Sequence, residues 1–100
     1  SAQRSSALPE LPTIEEAAGL KGFEASSWFG LLAPAGTPMD IVNRIQQEVA
    51  KSIATPAMKE KLQAQGAIPS GITSAQFAAL IEAEHKKWAA VVKASGAKVD

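Results

Sequence analysis

The chain has 100 residues, ten Lys+Arg balanced against ten Asp+Glu, 46% hydrophobic residues and no cysteine. That length holds at most one domain. The charge balance gives no electrostatic case for nucleic acid or an anionic membrane, and the absent thiols remove disulfides, thiolate nucleophiles and cysteine metal sites together.

Residues 1–12, SAQRSSALPELP, are polar, and Pro9 and Pro12 favour an extended surface path. This opening has neither an initiator Met nor the apolar stretch of a signal peptide, so Ser1 is expected to be a cut end rather than a natural beginning. TIEE then sets Thr13 and Glu16 at capping-box spacing for a short helix that Gly19 and Gly22 stop. From Phe23 to Ala33 the aromatic and aliphatic residues read as one long strand, closed by Ala-Pro-Ala-Gly-Thr-Pro. Thr37 as N-cap, with Pro38 at the first helical position and Asp40 in the first turn, predicts a second helix. In it Ile41, Val42, Ile45, Val49 and Ile53 recur at near-helical spacing. Thr55-Pro56 repeats the start signal for a third helix running to about Gln65 and ending at Gly66. A turn follows, with a brief extended piece at Ala67–Ile68.

Thr73 and Gln76 form a second capping box, and the longest helix runs from there to Gly96. Phe77, Leu80, Ile81, Glu84, Trp88, Val91 and Val92 share its broad apolar face, with Trp88 expected in the core. The tail 97–100 reads as a short extended end. No run reaches transmembrane length. From the residues the expectation is an α/β piece with about four helices and one long strand, whose pairing partner is not evident elsewhere in the chain.

Little in the chain carries chemistry. His85 is the only histidine, and its i±4 neighbours are Ile81 and Ala89, so no metal site and no general base are expected. Glu15 and Glu16 open a helix, where the dipole favours them; Glu82 and Glu84 lie two apart and do not share a face. Glu82 with Lys86 is a favourably oriented i,i+4 pair. Ser26 and Ser27 do not stand in a nucleophile elbow, and the glycines form no phosphate loop. Neither enzyme activity nor a cofactor is expected. Trp28 and Phe29, as strand neighbours, face opposite sides. One ring is expected in the core and the other against a second layer; the alternative is a place beside a ligand cleft.

The run ALPELPTIEEAAGLKGFEASSWFGLLAPAGTP, followed from Ile41 by IVNRIQQEV and the closing helix to Asp100, resembles the C-terminal third of the Bug family. These are the TctC-like substrate-binding proteins of tripartite tricarboxylate transporters. The likeness rests on the LPxxPT loop, the short helix, SSWFGLLAPAGTP, the Thr-Pro helix and the last helix with Trp88, in that order. The resemblance implies an α/β C-terminal fragment of a two-domain periplasmic binding protein of Venus-flytrap type. Such a protein captures small carboxylates, di- or tricarboxylates or similar, for the permease subunits in the membrane. It further implies that residues 1–22 are the end of the second domain and the hinge region, and that 23–100 are a crossing strand plus helices completing the first domain.

The family's two main ligand loops have no counterpart in this sequence. The cleft candidates that remain are Ser26, Ser27, Trp28 and Phe29. A strand without a partner in its own chain is expected to pair with a second copy, giving a homo-oligomer through Phe23–Ala33. The alternative reading is a free-standing helical interaction or dimerisation module with no ligand, suggested by four well-capped helices with apolar faces.

Overall fold

The computed structural model describes residues 1–98. It contains four helices: α1 (Ile14–Ala18), α2 (Met39–Ile53), α3 (Pro56–Ala64) and α4 (Ser74–Ser95). Residues 99 and 100, the end of the expected extended tail, lie outside the described part.

Local chemistry accounts for the helix ends. The Thr13 hydroxyl accepts from the Glu16 N–H at 3.2 Å, and Glu16 returns a carboxylate oxygen to the Thr13 N–H at 2.7 Å. Gly19 ends α1 in the left-handed region at φ 65°. Arg4 reaches back across the proline-rich opening. Its Nε donates to Glu16 at 2.9 Å and its Nη1 to the Pro9 carbonyl at 3.3 Å, which ties residues 1–12 to α1. Thr73 and Gln76 make the same reciprocal box at the start of α4. α3 closes in a Schellman arrangement: Ala67 N–H donates to the Leu62 carbonyl and Gly66 N–H to that of Gln63, both at 2.9 Å.

Thr37 behaves differently from the expectation. Its hydroxyl donates to the Pro34 carbonyl at 2.8 Å and closes the 34–37 turn, so it caps nothing. Pro38 occupies the N-cap, one residue later, its carbonyl accepting from the Ile41 and Val42 amides. At Thr55 the hydroxyl likewise turns back to the Ser52 carbonyl at 2.7 Å.

The expected α/β class is corrected by the structure: among the described residues there is no strand and no sheet, and the architecture is helical. No backbone N–H or carbonyl from Glu24 to Ala33 bonds to another backbone group within the described chain. The reason is non-local. Strand propensity is satisfied only by a neighbouring backbone, and no other described segment offers this one an extended edge to pair with. The piece at Ala67–Ile68 is unpaired for the same reason.

α2 is the hub, touching both α3 and α4. Its half-buried row is Val42, Gln46, Ala50 and Ile53. Gln46 Nε2 donates to the carbonyls of Gly71 and Ile72, each at 3.1 Å, and Ser74 Oγ donates to Asn43 Oδ1 at 3.1 Å. Gly71 lies so close to α2 that a Cβ there would stand 3.1 Å from the Ala50 Cβ. These contacts hold the start of α4 across α2.

The packing stops short of a core. No described residue is buried, and the accessible surface is 8357 Å². A compact monomer of 10.4 kDa would expose about 5,400 Å². The radius of gyration, 16.5 Å, exceeds the roughly 13 Å of a compact 100-residue domain. Trp88, expected in the core, is 41% exposed. None of the helices is long and apolar enough to cross a membrane, among the described residues.

Candidate functional site

The segment from Ser26 to Gly30 lies against α4, and a groove opens between them. Gly30 makes the approach feasible. A Cβ at this position would fall 2.3 Å from Cζ of Phe77, so only a glycine lets the backbone settle on that ring. Trp28, two residues earlier and on the same side, meets Phe77 edge-on with ring centroids 5.4 Å apart. Phe29 points the other way and is 94% exposed. The alternation is that of an extended chain with one face covered.

One charged cluster closes the far end of this contact. Glu84 accepts from Trp88 Nε1 at 2.7 Å and from the Lys87 ammonium, which also sits 5.2 Å from the centre of the Trp88 ring. Lys87 Nζ reaches the Glu24 carbonyl at 3.4 Å, the link that spans from α4 to the segment. The hydrogen bond from Lys87, then that from Trp88, hold the Glu84 carboxyl below the ordinary glutamate value of 4.5, against an opposing cost of desolvation. Because the folded value is depressed, the cluster contributes fully above about pH 4.5 and is lost as pH falls through the lowered value. Tryptophan fluorescence should therefore hold steady from neutral pH down to that range and change below it. Glu84→Gln should remove that step, and a step of unchanged size in the variant would show that another group carries it.

The groove is lined by Ser26, Ser27, Trp28, Glu84, His85 and Trp88, together with apolar residues of α4. Three of the four residues expected at a cleft, Ser26, Ser27 and Trp28, are thus gathered on one surface, and Phe29 is not with them. Glu84, Lys87 and Trp88 were missed as a unit by sequence reasoning. Their i, i+3, i+4 spacing is the signal that could have grouped them.

In chemical terms the groove offers two hydroxyls, two indoles, an imidazole and a carboxylate whose cation is already engaged. No cluster of three or more His, Cys, Asp or Glu side chains with metal-binding geometry occurs among the described residues. A second open surface runs along α2, where Ile41, Ile45 and Val49 form a stripe on the side away from Ala50 and Gln46.

Comparison with known families decides the assignment. The family described as "Tripartite tricarboxylate transporter family receptor" matches residues 1–97. The chain belongs to the tripartite tricarboxylate transporter receptor family. The UPF0065 protein from the tcbD-tcbE intergenic region of a Pseudomonas species is 43% identical over 88 residues. That alignment covers 88% of this chain and 26% of the relative. BugT of Bordetella pertussis is 36% identical over 99 residues, 99% of this chain and 30% of its own length. The UPF0065 protein from the clcB-clcD intergenic region of Pseudomonas knackmussii is 32% identical over 92 residues, 92% of this chain and 54% of that protein. The chain therefore spans between a quarter and about half the length of these relatives.

Proposed function

We propose that the chain is the C-terminal part of a periplasmic receptor that captures small carboxylates, di- or tricarboxylates or similar, for the membrane subunits of a tripartite tricarboxylate transporter. The observation that carries this reading is the family match along residues 1–97, in relatives two to four times longer than the matched part. In this reading residues 1–22 form the end of the second domain and the hinge region, and residues 23–100 complete the first domain. Ser26, Ser27 and Trp28 line the ligand cleft from one side, and Phe29 is turned away from that groove. The absence of a buried core among the described residues fits a chain whose apolar faces are meant for the rest of a larger body.

The chemistry of the groove limits what the chain does alone. A carboxylate ligand needs several converging donors or a free cation. Here Glu84 adds negative charge and Lys87 is already paired with it, so the hydroxyls of Ser26 and Ser27 and the His85 imidazole are left to supply most of the attraction. Isothermal titration of the 100-residue chain with succinate, citrate and glutamate should be flat at millimolar ligand. Binding with a Kd near micromolar would place the whole recognition site within this chain and overturn the reading.

A free-standing helical module is the second reading, favoured by the well-capped α1 and α4. It predicts a cooperative unfolding transition and a defined oligomer.

A further inference from the structure

We infer that Glu84 and Lys87 are positioning residues, a latch on α4 that fixes where Ser26 and Ser27 stand in the groove. The segment that carries the two serines is held at two points. At one, Trp28 and Gly30 rest on the Phe77 ring. At the other, the Lys87 ammonium reaches the Glu24 carbonyl at 3.4 Å. Ser26 and Ser27 lie between these points and have no backbone partners of their own. The spacing leaves little slack. Phe77 and Lys87 are ten residues apart on one helix, about 15 Å along its axis. Glu24 and Trp28 are four residues apart, and an extended chain covers at most about 14 Å over that distance. The segment therefore runs nearly taut along α4 and opposite to it in direction, and the serines can shift only when one point lets go.

Lys87 can act as a latch because its own place is fixed. One Glu84 carboxylate oxygen takes its ammonium, and the Trp88 ring centre lies 5.2 Å from it. The other oxygen of Glu84 accepts from Trp88 Nε1 at 2.7 Å. The side chain of Glu84 is 17% exposed and that of Lys87 34%, whereas both partners are at least 45% exposed in the other ion pairs of the described residues. An exposed pair contributes little, since water and side-chain freedom compete with it. This pair is shielded, and a shielded carboxylate that loses its donors is costly. Glu84 thus aims the lysine, and the lysine holds the segment. That the wall so fixed faces a ligand rests on the receptor reading. The attachment itself does not, and it is measured on the chain without ligand, so a flat titration with carboxylates leaves it untouched.

Backbone amide and indole resonances of the isotope-labelled 100-residue chain test the latch. Lys87→Met keeps the aliphatic stem and removes the ammonium. It should move the Glu24–Ser27 amide shifts toward random-coil positions and leave those of α2 and the first half of α4 in place. Glu84→Gln keeps the shape and removes the charge, and should displace the same amides. Lys87→Arg retains the cation and should hold them where the parent has them. Lys86→Met is the control on the same helix, because Lys86 pairs with the exposed Glu82 and should leave the segment as in the parent. Random-coil shifts for Glu24–Ser27 in the parent, unmoved shifts in Lys87→Met or Glu84→Gln, or a displacement as large in Lys87→Arg or Lys86→Met would each overturn the proposal. So would loss of the α4 signals together with those of the segment, which would place the effect in the helix and not in the attachment.

Discussion

In dilute solution the isolated chain is expected to lose its structure gradually in urea, without a sharp midpoint. An unfolded chain of this mass exposes about 15,000 Å², and a compact fold of this size removes about two-thirds of that from water. Here the exposed area remains 8357 Å² and no described side chain is buried, so a little under half is removed. Area removed from water is the main favourable term in folding, and the entropy of ordering the chain opposes it at similar size. A shortfall of this extent leaves the helices held by their caps and by the partial contacts of α2 with α3 and α4. Far-UV circular dichroism and tryptophan fluorescence at about 1 μM chain should give shallow, non-coincident curves, with an apparent m-value below the about 1–3 kcal/mol/M typical of small domains. Coincident sharp transitions with an ordinary m-value would instead establish a self-sufficient domain and favour the free-standing module.

Gly30→Ala should lift the segment off α4. The added methyl carbon would stand 2.3 Å from Cζ and 2.9 Å from Cε1 of Phe77. The ring could swing aside only by leaving its edge-on contact with Trp28. Overpacking of this kind costs typically about 1–3 kcal/mol. At this site the cost falls on docking of the segment and not on the helices, whose caps lie elsewhere. The near-ultraviolet signal of the tryptophans should collapse toward that of a free indole while far-UV helicity holds. Shortening the ring with Phe77→Leu should restore part of the signal in the double variant, a coupling of roughly 0.5–3 kcal/mol for residues in direct contact. An unaltered near-ultraviolet spectrum in Gly30→Ala would mean that the close approach is not maintained in solution.

What could be read from the sequence divides along the distance of the interactions. Thr13 with Glu16, Thr73 with Gln76, and the glycines at 19, 66 and 96 are local devices, and they stand in the structure where spacing places them. Thr37 shows the limit of local reading. A threonine before proline can cap a helix or close the preceding turn, and the Pro34 carbonyl takes its hydroxyl here. The segment Phe23–Ala33 shows a larger limit. Its residues favour a strand, yet a strand exists only with a partner, and none lies within the described chain. Trp88 sits on the apolar stripe of α4 as its spacing indicates. A helical stripe states which side faces a neighbour, however, and not whether enough neighbour is present to bury it. The Lys87 ammonium reaches the carbonyl of Glu24 across 63 positions of sequence, a contact that no periodicity announces.

Amide hydrogen exchange of Glu24–Ala33 in the chain at low concentration tests most directly whether its open segment awaits another surface. Unpaired backbone groups exchange at nearly the rate of an unstructured peptide, whereas amides within α2 and α4 are slowed by their helical bonds. The account predicts fast exchange from Glu24 to Ala33 in the monomer beside measurable protection in α2. Protection of the segment equal to that of α2 in a chain shown to be monomeric would contradict it, since the backbone would then have found its partners inside these 100 residues.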